Sequence, residues 1–341
     1  MNLSEHKYTG KIICLAFPDT FVKHSTEKVL KILPYLGLGT KTHIKAGHAA
    51  LVLVENQTGK AEYYDFGRYI TPLGYGRVRS AETDVELEIP FSLNFDSANQ
   101  IVNLEKLLIW LEQNPDKTHG SGRLVASVLY YIDHGKAKEY LLHMQNKGDV
   151  LYKAFGSEGS NCSRIVTETI LRATNHPKII KRLLRNKKFT PSTVGNVEAV
   201  ALDNIIYEVN SAKVSLYDGT ALKENLKNYF DKNFQQLHLN MESTRLNLKD
   251  VQYLEGIGCG AYFKIKKLEG FSQQYKITRY SDIGILDFKG VFATENHFDI
   301  EKPFRFTYNS NCKHCHVIQD DTLIKFKLEK VINLRQKELL I

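Results

Sequence analysis

Three residues of this chain have types and positions suited to acyl-transfer chemistry: Cys162, His48 and Asp65. Cys162 follows the small-residue loop from Gly156 to Asn161. It opens the segment Ser163–Arg172, whose apolar residues at 165, 166, 170 and 171 share one face of a helix. Ser160 or Asn161 supplies the N-cap. At a helix start, the dipole and the unpaired backbone N–H groups favour a thiolate, and one such N–H can form half of an oxyanion hole. A structural cysteine would sit in the apolar stripe instead.

His48 heads the run Gly47–Val54, a strand apolar on both faces and therefore central. Read alone, a histidine there is a satisfied core or edge residue. The next strand, Ala61–Gly67, carries Asp65, and residues 56–59 between them read as a hairpin turn. A four-residue loop makes 55 face 60, so that His48 opposes Gly67 and Asp65 opposes Ala50. His48 and Asp65 are then diagonal neighbours on one sheet face, within side-chain reach. A two-residue turn would set them directly opposite, and an odd-sum register would put them on different faces. The three residues make a nucleophile–base–orienter set: His48 takes the thiol proton and Asp65 holds the imidazole tautomer. Arg68, Arg77 and Arg79 follow in a glycine-rich stretch. They are either surface arginines or a subsite for a substrate carboxylate or phosphate.

The order of these pieces resembles the circularly permuted branch of the NlpC-like papain-fold cysteine hydrolases, which includes relatives of lecithin:retinol acyltransferase. The pieces are Gly47-His48-Ala-Ala-Leu-Val, Tyr64-Asp65-Phe-Gly67 and Gly159-Ser-Asn-Cys162-Ser-Arg-Ile-Val. Within that branch the chain looks like a member of a bacterial, Bacteroidetes-type family. The resemblance covers roughly residues 10–198. It implies an α+β, papain-like antiparallel sheet with packed helices, and cleavage or transfer of amide or ester acyl groups through a thioester on Cys162. It implies no particular substrate.

The elements that must position these residues read as follows. Strands are expected at 10–18, 85–90 and 123–132, and helices at 25–34, 102–113, 136–146 and over the basic stretch 178–188. After Gly195 the texture changes. Residues 204–218 and 250–292 are rich in β-type residues and glycine turns, with a helix at 220–237. Two domains are expected: a catalytic domain, 1–198, and a β-rich accessory domain, 199–341.

Near the end, Cys312-Lys-His-Cys315-His316 has the spacing of c-type haem attachment, a reading set aside because no export signal is readable. Cys312, Cys315 and His316 form a weak alternative zinc set without a second Cys-x-x-Cys. The expectation is a turn between strands 304–309 and 323–328, with no metal and no cofactor.

Composition limits the remaining choices. The chain has 341 residues, 43% hydrophobic and 25% charged, values of an ordinary globular protein. Five scattered cysteines do not make a disulfide framework. No apolar run is long enough for a membrane span. The start lacks a basic segment followed by an apolar core, so a cytoplasmic location is the default expectation. The net charge of +8 is spread out, and no nucleic-acid recognition motif accompanies it. The expected function is that of a cysteine hydrolase or acyl transferase with a peptide, amide or acyl-ester substrate. The alternative is a non-catalytic binding protein on the same scaffold, contacting a protein partner through its C-terminal part.

Overall fold

The computed structural model describes residues 8–234 and 251–332, apart from the single positions 26, 157, 204, 272 and 283. β1 (Gly10–Phe17) leads into a two-stranded ribbon, β2 (Val22–Lys23) and β3 (His43–Ile44). The connection between them contains a 3₁₀ helix, Lys28–Leu36. β4 (His48–Glu55) and β5 (Ala61–Gly67) form a hairpin, to which β6 (Tyr75–Arg79) adds. α1 (Leu104–Glu112) and the single turn α2 (Pro115–Thr118) precede β7 (Leu124–Ile132), α3 (His134–Asn146) and the short β8 (Val150–Leu151). Then come α4 (Cys162–Ala173), α5 (Pro177–Asn186), α6 (Thr193–Val200), β9 (Tyr207–Asn210), β10 (Lys213–Leu216) and α7 (Ala221–Tyr229).

These strands build one antiparallel sheet in the order β10-β9-β7-β1-β4-β5-β6-β8. β1 and β4 are central because both of their faces are apolar, and nearly every residue in them is buried. Alternation divides the core. Ala49, Leu51, Tyr64 and Phe66 pack with Ile165, Val166 and Ile170 of α4 and with Leu141 of α3. Ala50, Val52 and Tyr63 point the other way, towards Leu107, Leu108 and Leu111 of α1.

A second antiparallel sheet comprises β11 (Gln252–Leu254), β12 (Ala261–Lys267), β13 (Gln274–Ser281), β14 (Leu286–Ala293), β15 (Arg305–Phe306), β16 (His314–Gln319) and β17 (Thr322–Val331). Its order is β11-β12-β13-β14-β17-β16-β15. The Gln252 side chain bonds Phe304 O and Phe306 N, each at 2.8 Å, drawing the two edges together into a barrel-like form. The fold is thus α+β, with an antiparallel helix-covered sheet followed by a β-rich part.

The structure departs from the expected elements in five places. Residues 75–79 form a buried strand, not a glycine-rich surface loop, because Arg77 and Arg79 find carboxylates inside the protein. Residues 85–90 do not form a strand: a 3₁₀ turn at Val85–Leu87 buries Leu87, and Asp84 is held by arginines. Cys315 lies within strand β16, and Cys312 just before it, both packed in the second core. Finally, β9 and β10 extend the first sheet through β7, so the change of sheet falls after Tyr229 and not near residue 200. The helix expected over 220–237 ends at Tyr229, and its last positions, from 235, lie outside the described residues.

Candidate active site

The sheet register brings His48 and Asp65 together. β4 and β5 pair as Ala50↔Asp65, the register of the four-residue loop, and His48 sits one pair further on the same face. Gly47, at φ +75°, turns the chain into β4; a Cβ there would lie 2.9 Å from Thr193 Oγ1, so only glycine fits this entry. His48 Nε2 lies 3.3 Å from Asp65 Oδ2. His48 and Cys162 line one cleft, and each shifts the other's titration towards the charged form.

Cys162 is the first residue of α4. The Asn161 side chain caps the helix, accepting from Arg164 N at 2.9 Å. The loop in front is fastened by Asn161 Nδ2 to Lys153 O at 3.0 Å, and by the Glu27 carboxylate, which accepts from Ala154 N at 2.6 Å and Phe155 N at 3.2 Å. Burial works to raise the Cys162 pKa. The His48 hydrogen bond and charge, the Ala49 N–H and the Ser163 side chain outweigh it, and the thiol is held below its ordinary value. Burial likewise opposes the charged form of His48, but Asp65 and Cys162 prevail and lift the imidazole to about 9. The pair therefore favours thiolate and imidazolium.

Asp65 has more partners than the hairpin supplies. Arg79, directly opposite on β6, donates to Oδ1 at 3.0 Å and to Oδ2 at 2.6 Å, and Tyr63 O–H donates at 3.2 Å. Burial would push the Asp65 carboxyl up; the Arg79 charge, foremost among the opposing effects, holds it well below the usual carboxylate range. Arg79 also lies over the Tyr69 ring, 3.8 Å from its centroid, and donates to Lys117 O at 3.1 Å. Its guanidinium is thus part of the protein's interior and not presented to a substrate. The same holds for Arg77, which grips Asp84 at 2.6 and 2.7 Å and donates to Tyr69 O. Of the three arginines, Arg68 borders the site: it lines a cleft beside Cys162, stacks over Tyr152 and donates to Lys23 O at 2.7 Å.

Sequence reasoning missed four residues that line the cleft. His119, stacked on Tyr69 at 4.6 Å, lines the same cleft, and burial first, then Arg79, depress its imidazole to about 3. Tyr152 and the C-terminal residues Ile257 and Gly258 also line it. The spacing of Arg77 and Arg79, two apart as on one face of a strand, was a usable signal for β6. Nothing in the sequence marks His119 or residues 257–258.

Cys312 and Cys315 pack in the core of the second sheet and do not line the cleft. Both are buried, and burial raises their thiols, Cys315 to about 12. Among the described residues, no group of three or more His, Cys, Asp or Glu side chains is placed to hold a metal ion. No helix among them is long and apolar enough to cross a membrane.

Residues 12–179 match the family of type VI secretion system effectors described as TseH-like. The match contains His48, Asp65 and Cys162. Residues 251–329, the second sheet, match a DUF6695 C-terminal domain. A crystal structure of the type VI secretion system effector TseH aligns with a TM-score of 0.39 and 18% identity, over 62% of this chain and 100% of that one. No curated protein matches the chain. The TseH-like region ends within α5, so β9, β10, α7 and the second sheet lie beyond it.

Proposed function

We propose that the chain is a thiol acyl hydrolase or transferase of papain-like, permuted NlpC type, acting on an amide or ester bond through Cys162. The observation that carries this reading is that His48, held by the Asp65 carboxylate, lines one cleft with a thiol at a helix start. The Cys162 thiolate attacks the substrate carbonyl carbon. The backbone N–H of Cys162, which has no acceptor within its own helix, faces the developing oxyanion. The carbon–leaving-group bond breaks, the His48 imidazolium gives its proton to the departing amine or alkoxide, and a thioester remains. Neutral His48 then takes a proton from water or an acceptor, which attacks the thioester and restores the thiol. Asp65 keeps the imidazole oriented throughout, and Arg79 is a positioning residue that fixes Asp65.

The similarity of residues 12–179 to type VI effectors supports the further reading that this region is the effector portion of the chain, and the second sheet an accessory unit. The test is acylation by p-nitrophenyl acetate followed by peptide mass mapping. An acetyl group on Cys162 that is absent from His48→Ala supports the mechanism. Acetylation at other residues only, or acetylation of Cys162 at an unchanged rate in His48→Ala, refutes it.

A further inference from the structure

Cys162 stands on the wall shared by two cavities of opposite character. One, of about 310 Å³, is lined by Leu30, Leu33, Leu38, Ile44, Phe155 and Pro191, with Cys162 and Ser163 also on its wall. The other, of about 230 Å³, is the cleft already described, where Lys23, Arg68, His48, His119 and Tyr69 gather. Val22, Lys23 and Tyr152 border both. A nucleophile that forms an acyl-enzyme needs such a division: the acyl group must stay on one side of the sulfur while the leaving group departs on the other.

Resting on the reading of Cys162 as nucleophile, we propose that the apolar cavity is an acyl subsite and that the substrate carries an aliphatic acyl chain. The polar cleft receives the leaving group. A cavity of this size, mostly apolar with a few polar groups, is the usual form of a small-molecule site.

The element covering the cavity points the same way. The 3₁₀ helix Lys28–Leu36 presents Leu30 and Leu33 inward. On its outer side Ile32, Tyr35 and Leu36 are exposed at 54%, 90% and 64%. A cover that is apolar on both sides is unusual for a surface element, and exposed apolar patches of this kind mark contact with apolar partners. Nine residues of 3₁₀ geometry interrupted by Pro34 also make a weakly hydrogen-bonded cover. Its C-terminal end is secured by Gly37 and Leu38, whose N–H groups bond the carbonyls of Pro34 and Leu33.

The step balances without a co-reactant other than water. The sulfur–acyl bond forms as the bond to the leaving oxygen, nitrogen or sulfur breaks. Water then releases the fatty acid and leaves the thiol free. An aliphatic chain has two sources, a membrane lipid ester or a soluble acyl thioester, and their acyl chemistry is shared.

The experiment compares p-nitrophenyl acetate, hexanoate and decanoate on the full chain, with mass mapping of Cys162. The inference expects kcat/KM to rise by roughly threefold per added methylene until the cavity is filled. Leu33→Trp, which occupies the cavity, is expected to cut the decanoate-to-acetate ratio at least about tenfold. Acetylated Cys162 with no chain-length preference, or a preference that Leu33→Trp leaves unchanged, overturns the inference while the nucleophile stands. No acyl adduct on Cys162 from any ester overturns both. Fatty acid released from phosphatidylcholine vesicles assigns the chain to lipid esters, and release from a soluble decanoyl thioester alone assigns it to the free thioester. Release from neither, with acetate still turned over, overturns the acyl-chain subsite.

Discussion

Arg279 of β13 and Asp84, 195 positions apart in sequence, are joined by a buried ion pair at 3.0 Å. The same guanidinium reaches Glu86 at 2.7 Å and Asp287 at 2.9 Å, while Asp84 also holds Arg77. The second sheet is therefore tied to the segment that carries Arg77 and Arg79. Backbone bonds from Ile70 N to Cys259 O, Gly258 N to Arg68 O and Cys312 N to Thr83 O reinforce the seam.

Replacing Arg279 by Met should be strongly destabilising. It leaves the 2% exposed Asp84 carboxylate with one arginine instead of two, and Glu86 and Asp287 lose a partner. Breaking a buried pair from one side typically removes about 3–5 kcal/mol. Urea denaturation should show a loss of that order. A loss below about 1 kcal/mol would mean that water replaces the guanidinium, and the seam would then be incidental.

Asp65→Asn should damage the fold as well as the chemistry. It leaves Arg79 buried without its counter-charge, since Asp65 accepts two of that guanidinium's hydrogen bonds. Arg79→Met alone should also destabilise, and the double variant should be less unstable than the two single effects added together. Additive losses in a double-mutant cycle would show that Arg79 does not act through Asp65.

Alkylation should single out Cys162 at low pH. Its thiol is held down, whereas burial pushes Cys259 and Cys315 up to about 12 and raises Cys14 and Cys312 as well. Iodoacetamide at a pH of about 6 should label Cys162 in the native protein and leave the others unmodified. His48→Ala should slow that labelling by roughly a hundredfold, since a free thiol is almost wholly protonated there. Labelling spread over all five cysteines at similar rates would contradict the thiolate–imidazolium pair.

Stability should depend on pH through His48 with a defined sign. Its folded pKa of about 9 lies above the free value of 6.5, so the folded state binds the proton more tightly. The contribution is complete below pH 6.5 and is lost as pH rises through about 9. Relative to His48→Gln, the denaturation midpoint of the natural protein should fall across that interval and be flat below it. A difference that grows with rising pH would mean that His48 is buried neutral.

Turnover should respond to His48 and Asp65 as a unit. His48→Ala is expected to lower kcat/KM by about 10²–10⁴-fold, the range of general acid–base catalysis. Per folded molecule, adding Asp65→Asn to it should lower turnover little further, because residues acting together are not additive. Steady-state kinetics on an activated ester would check this; a fully active His48→Ala would refute the base.

What the sequence determined by itself were the features set by local rules. The β4–β5 register follows from a four-residue turn and period-two alternation, so the meeting of His48 with Asp65 was legible in the sequence. The position of Cys162 at a helix start follows from the Asn161 cap and the apolar stripe behind it. Only the tertiary structure decided what Arg77, Arg79 and Arg279 do. An arginine reads as exposed by type, and whether it is instead buried depends on a carboxylate arriving from another element. Asp65 comes to Arg79 across one strand pair, and Arg279 comes to Asp84 from 195 positions away. The extent of the first sheet was hidden for the same reason: β9 is a short strand of unremarkable pattern, and its partner β7 lies some eighty residues upstream. The apolar cavity beside Cys162 needs α4, α6, the β2–β3 ribbon and the 3₁₀ helix all in place. A space enclosed by several elements leaves no trace in the local pattern of any one of them.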